Sequence, residues 1–278
     1  MRAISWCLAV AVAAAGCADV TEKKPLPVSD VAADLAELAR ARVYFGHQSV
    51  GGNVLDGLAA LASEHGVPLR IVEAPAGVDD GAPAIVHQKV GRNAEPASKC
   101  DAFGGFLTGP GRAARWDAAV LKFCYADLGD RTDIEPAQLL ALYKKTAASV
   151  RSARPDVMLV HATVPLNTRG EGTGDRVRAA VGLGTSKDAN NARRSRFNDL
   201  LRAEYAGEPL FDVARAESTR ADGSRAGVAR EGTFDDALRR ELTSDGGHLN
   251  DEGRRVVARE FARSLAAALR GRPRVPSP

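Results

Sequence analysis

The chain lacks most of the features that would tie it to a specialised partner. Its 278 residues include only four cysteines, and aromatic residues make up 5%. So few cysteines exclude a disulfide-dense scaffold, and a chain of this length buries enough surface to hold a core without one. Charge of one sign is also scarce. The 38 basic residues nearly offset the 35 acidic ones, leaving a formal net charge of +3. That balance argues against nucleic acid as a partner. No Cys/His spacing suggests zinc, no Gly-x-Gly-x-x-Gly follows the first strand, and no P-loop is present. No metal and no cofactor is expected.

Residues 1–17 depart from the average. One Arg precedes an apolar run that ends in small residues, the anatomy of a secretory signal peptide and too short for a membrane span. The run closes on Ala14-Ala15-Gly16-Cys17. This resembles a bacterial lipobox, with Ala14 where Leu is usual and Cys17 as the residue to be lipidated. Ala18 follows, so the expected location is the periplasm, on the outer membrane through a lipid anchor. Cleavage by the ordinary signal peptidase would instead release a secreted protein. Residues 18–29, with Pro25 and Pro27, read as a tether. Of the remaining cysteines, Cys100 and Cys124 are open to either a disulfide or buried free thiols.

From residue 30 onward, strand-like and helix-like patterns alternate. Short apolar runs at 43–45, 69–74, 118–126, 157–164 and 209–213 read as strands. Helical spacing marks 30–41, 52–65, 136–152, 191–206 and 251–270. The stretches 75–111 and 166–190 are Gly-rich with little periodicity and read as long loops bordering a cleft. This alternation predicts one three-layer α/β/α domain over residues 30–271, built on five mostly parallel strands, with a tail at 272–278. In such sheets ligands bind beyond the carboxyl ends of the strands.

Two segments at such places carry candidate chemistry. After the first strand comes Gly46-His47-Gln48-Ser49-Val50-Gly51-Gly52-Asn53. It puts a hydroxyl at a tight turn where a helix N-terminus would aim its amides. The competing reading makes Ser49 a plain helix cap. Before the last helix, Asp245-Gly246-Gly247-His248 spaces a carboxylate to orient an imidazole. Asp245 capping a turn beside an exposed His248 is the alternative there. The order Ser, Asp, His is that of other α/β hydrolases.

Together these blocks resemble the SGNH/GDSL hydrolase superfamily. The resemblance implies a flavodoxin-like sheet, with Ser49 as nucleophile, His248 as base and Asp245 orienting it. His47-Gln48-Ser49 stands where Gly-Asp-Ser is usual. Cys124-Tyr125-Ala126-Asp127 stands for Gly-x-Asn-Asp, so the oxyanion-hole Asn is Ala126 while Asp127 is kept near the pocket. Gly91, in Val90-Gly91-Arg92-Asn93, is the candidate for the second block's amide, with Asn93 as a replacement side-chain donor.

The implied activity is hydrolysis of a small ester, such as an O-acetylated glycan, through an acyl-enzyme. A non-catalytic carbohydrate-binding protein and an acyltransferase with the same triad are the alternatives. No nucleic acid is expected, and a membrane only through the anchor. His161 reads as a satisfied core residue, and His47 as pocket lining or a structural donor. His65 and His87 have no supporting context. Lys122 either snorkels or is paired near the site, and the run Arg193-Arg194-Ser195-Arg196 reads as a solvated face. Arg169, Arg176 and Arg178 would attract an anionic substrate or serve solubility alone.

Overall fold

The computed structural model describes residues 23–74, 81–170, 177, 186–230 and 232–272. The stretch expected to be a signal peptide, Cys17, Arg176 and Arg178 lie outside these residues. Among the described residues no helix is long and apolar enough to cross a membrane.

The elements run α1 (Val31–Leu38), β1 (Arg42–His47), α2 (Ser49–Glu64), β2 (Ile71–Glu73), β3 (Ala84–Lys89), α3 (Pro96–Thr108) and β4 (Ala118–Leu121). A 3-10 turn, Tyr125–Leu128, precedes α4 (Pro136–Ala153) and β5 (Met158–Ala162). Then come α5 (Ser186–Glu204), β6 (Leu210–Phe211), α6 (Val213–Ser218), the hairpin β7 (Gly227–Arg230) and β8 (Thr233–Asp236), a second 3-10 turn, Arg240–Leu242, and α7 (Asp251–Arg270).

Six strands form one sheet in the order β2-β3-β1-β4-β5-β6, every pair parallel. The expected five become six because β3 lies inside the stretch read as loop. Without the edge strand β2, the order β3-β1-β4-β5-β6 is the flavodoxin-like one. The chain passes from β1 to the edge strand β2 and back to β3 on one side, and then to β4 on the other. The carboxyl ends of β1 and β4 therefore flank the topological switch point, where such sheets open a crevice.

Alternate side chains of each strand feed two cores. Val43 and Phe45 face α1, α2 and α7, while Tyr44 faces α3, α4 and α5. In α7, Val257, Phe261 and Leu265 are fully buried, each contributing about 1.5–3 kcal/mol by leaving water. Its start is fixed by the Asn250 side chain, which accepts from the Gly253 amide at 3.0 Å. A Cβ on Gly57 would lie 2.3 Å from the Arg254 carbonyl oxygen, so only glycine lets α2 approach α7 this closely. Within the stretch expected to be a tether, Lys23 and Lys24 contact the domain: the Lys24 amide donates to the Gly223 carbonyl at 3.0 Å, and Lys23 pairs with Asp222.

Candidate active site

Ser49 is the first residue of α2, three positions earlier than periodicity placed the helix start. Gln48 holds the cap position without a side-chain cap bond, so Ser49 is not the helix cap. The Ser49 hydroxyl makes no hydrogen bond among the described residues. At this position its amide has no intrahelical acceptor and points, with the helix dipole, at the turn. Gly51 is required by space: a Cβ there would sit 2.3 Å from the Cβ of His47.

The residue before Ser49 explains the missing carboxylate. The Gln48 side-chain amide donates to the carbonyl oxygens of Val90 and Gly91, both at 2.8 Å. An Asp here would face two carbonyl oxygens with no proton to give. Gln48 thus ties the serine turn to the Gly91 loop. Gly91 has φ +57, and a Cβ would meet the Lys99 amide nitrogen at 2.5 Å, so no other residue fits. The Gly91 amide itself makes no hydrogen bond among the described residues.

Asp245 and His248 are brought together as the spacing implied. His248 Nδ1 lies 2.7 Å from Asp245 Oδ2, while Asp245 Oδ1 accepts from the amides of Gly247 and His248, both at 2.8 Å. Asp245 therefore both caps its turn and orients the imidazole. Burial opposes its charge, but the bonds from His248 and the two amides outweigh it and hold the carboxyl below its usual range. With Nδ1 protonated toward the carboxylate, Nε2 is the lone-pair nitrogen. One turn along α2 from Ser49, Asn53 Oδ1 accepts from the Leu249 amide at 3.1 Å. This bond fastens the residue after His248 to the face of α2 that carries Ser49. No hydrogen bond joins Ser49 to His248 among the described residues. Instead Nε2 meets the hydroxyl of Tyr125 at 3.3 Å. Nothing in the sequence marks Tyr125 beyond its place beside Ala126.

Asp127 is not a pocket residue but a buried frame. With Lys99 it forms an ion pair at 2.6 Å, both side chains fully buried. It also accepts from the Cys124 amide at 2.7 Å and the Ala94 amide at 3.0 Å. Ala94 is held at φ +66, a left-handed conformation that Ala otherwise avoids. Asn93 is exposed, and its amide oxygen accepts from Lys99 at 3.0 Å. The Gly91–Ala94 loop and the turn after β4 thus share one carboxylate.

Several ionisable side chains are buried. Lys122 does not snorkel: it is fully buried, donates to the Phe123 carbonyl at 3.0 Å, and burial lowers its pKa to about 8. Glu217 is equally buried, which raises its pKa to about 8, and accepts from the Leu166 amide at 2.6 Å. The run 193–196 is a solvated face only at Arg196, which is exposed. Arg194 is 2% exposed, donates to the Tyr125 carbonyl at 3.0 Å, and burial lowers its pKa to about 10. Arg193 donates to the carbonyls of Gly129, Thr132 and Ile134, and Ser195 is buried. Arg169 pairs with Asp188 at 3.8 Å.

His47 is 1% exposed, with Nδ1 on the Gln48 carbonyl at 2.8 Å and Nε2 on His87 Nδ1 at 3.1 Å. It is a structural donor in a histidine pair, and burial lowers its pKa to about 4. His161 is a satisfied core residue, bonded to Tyr143 at 2.7 Å and to Glu208 at 3.1 Å. Cys100 and Cys124 are both buried and free. A groove of 810 Å³ lined by Met158, Leu210 and Arg272 lies at the amino ends of β5 and β6, the opposite end of the strands from Ser49.

No protein-family model matches the chain, and no curated protein matches it. Solved structures similar to it include three at low identity. One is a carbohydrate esterase family 3 from Talaromyces cellulolyticus (12% identity, 84% of this chain, 98% of that chain, TM-score 0.48). Another is the lipopolysaccharide acetyltransferase periplasmic domain of Salmonella ser. Paratyphi A (11%, 83%, 85%, TM-score 0.47). The third is a lipase/acylhydrolase from Enterococcus faecalis (12%, 82%, 96%, TM-score 0.43). What the site can do follows from its own residues.

Proposed function

We propose that the chain is an exported serine esterase of SGNH type that acts through an acyl-enzyme. One observation carries the reading: a carboxylate-oriented imidazole is fastened through Asn53 to the helix whose first residue is a serine with a free hydroxyl. Ser49 Oγ attacks the ester carbonyl and its proton passes to His248 Nε2. Asp245 accepts from Nδ1–H and stabilises the imidazolium. The amides of Ser49 and Gly91 hold the oxyanion, aided by the N-terminus of α2. The imidazolium then protonates the departing alkoxide, and water repeats the sequence on the acyl group.

The Asp245 and His248 side chains are 56% and 43% exposed, so the couple opens to solvent. An open site accommodates a bulky alcohol, which supports a small acyl group on a glycan as substrate. Export through the signal peptide, with Cys17 lipidated, completes the proposal and places the enzyme in the periplasm on a lipid anchor. Ser49→Ala is expected to abolish hydrolysis of p-nitrophenyl acetate, and His248→Ala to do so with an unchanged thermal midpoint. Turnover retained in Ser49→Ala would end the proposal.

A further inference from the structure

We infer that Tyr125 is a fourth working side chain of this site, beside Ser49, His248 and Asp245: its hydroxyl holds His248 Nε2 in the resting enzyme and donates to the oxyanion when Ser49 attacks. The inference rests on the esterase reading above. Tyr125 opens the 3-10 turn after β4, on the strand end that faces β1 across the switch point. Nδ1 of His248 is committed to Asp245, so Nε2 is an acceptor and the phenol is the donor at 3.3 Å. That length marks a weak bond, which an arriving serine proton displaces at little cost.

The phenol ring is aimed by rigid neighbours. Its backbone carbonyl accepts from Arg194 Nε at 3.0 Å, and the same guanidinium lies 5.7 Å from the ring centroid. Gly247 packs closely here, since a Cβ on it would lie 2.8 Å from the Asn167 amide nitrogen and 3.3 Å from the Tyr125 ring, and Tyr125 and His248 meet edge to face, 5.8 Å between centroids. The side chain of the neighbouring Ala126 has no donor to offer. Asn93 is exposed, with its amide oxygen tied to Lys99. Tyr125 is therefore the donor on this turn that already touches the reacting nitrogen.

The protons balance simply. The Ser49 proton moves to Nε2, the phenol keeps its own proton and turns it to the new oxyanion, and the leaving alkoxide takes the proton from Nε2. Tyr125 donates a hydrogen bond throughout and transfers nothing.

Kinetics on p-nitrophenyl acetate with Tyr125→Phe, Asn93→Ala, Ser49→Ala and the double variant Tyr125→Phe/Ala126→Asn test this. Loss of one oxyanion donor is worth about 100-fold in kcat. Tyr125→Phe is expected to lower kcat by about that factor while KM and the thermal midpoint stay close to wild type. The double variant, with an amide donor restored beside position 125, is expected to regain about tenfold of the loss. Asn93→Ala is expected to keep wild-type kcat. An unchanged kcat in Tyr125→Phe, no recovery in the double variant, or an equal loss in Asn93→Ala overturns the assignment. Ser49→Ala separates the two levels: if it retains turnover, the esterase reading falls, whereas if it is dead and Tyr125→Phe is normal, only the role of Tyr125 falls.

Discussion

Replacing Asp127 with Ala should unsettle both the fold and the site, because three hydrogen-bond donors converge on that carboxylate. Lys99, fully buried, would keep only the amide oxygen of Asn93. The amides of Cys124 and Ala94 would lose their acceptor. Removing one partner of a buried ion pair costs about 3–5 kcal/mol. Each deserted amide adds about 1–3 kcal/mol unless water replaces the carboxylate. Water entering the vacated space would cancel part of this, so a net loss of about 4 kcal/mol is expected. In urea denaturation at a slope of about 3 kcal/mol/M, the midpoint would fall by a little over ~1 M. Ala94 would also relax from its left-handed conformation and loosen the Gly91 amide, so kcat should drop even where the fold persists. The double variant Lys99→Met/Asp127→Leu should recover the ion-pair part of the loss, since an apolar pair of similar volume often matches a buried ion pair, but not the part due to the Cys124 and Ala94 amides, which still lack their acceptor. A loss under about 1 kcal/mol in Asp127→Ala would refute the reasoning.

Gly51→Ala should destabilise by about 1–3 kcal/mol and lower kcat, because its Cβ would collide with His47. Gly52→Ala meets nothing within 4 Å and should match or exceed wild-type stability, so equal thermal midpoints for the two variants would contradict the packing argument. Gln48→Glu should cost about 1–3 kcal/mol, along with kcat, by facing two carbonyls with acceptors, and a neutral outcome would dissolve the tie to the Gly91 loop. Burial lowers the pKa of His161 from 6.5 to about 4. The unfolded chain therefore binds a proton there that the folded one refuses, and this stability fades as pH falls from 6.5 toward 4. Between those values wild type should lose up to about 1.4 kcal/mol per pH unit more than His161→Phe, and parallel urea curves would contradict the sign.

Long apolar periodicity was the most legible part of the chain. The last helix, expected at 251–270, spans Asp251–Arg270. The Asp245–His248 couple could be read because its chemistry depends on local spacing. β3 carries little strand signal because only Ala84, Ile85 and Val86 are apolar. The strand ends in His87, Gln88 and Lys89, polar because two of them bond across the sheet, His87 to His47 and Gln88 to Tyr44. α3 carries Gly104 and Gly105 and a weak apolar face, and it is helical through packing of Phe103 and Leu107 on the second core. Arg194 looks like any surface arginine until tertiary structure closes over it. Tyr125 could have been found from one signal: an aromatic with a hydroxyl beside the position that had lost its donor.

Covalent labelling tests the central claim most directly. Incubation with a fluorophosphonate, followed by mass spectrometry of the digested protein, reports which hydroxyl is nucleophilic. The account predicts a single adduct on the peptide carrying Ser49, formed in step with loss of p-nitrophenyl acetate hydrolysis and absent from Ser49→Ala and His248→Ala. An unlabelled Ser49 in protein that still hydrolyses the ester, or an adduct on another residue that abolishes activity, would contradict it.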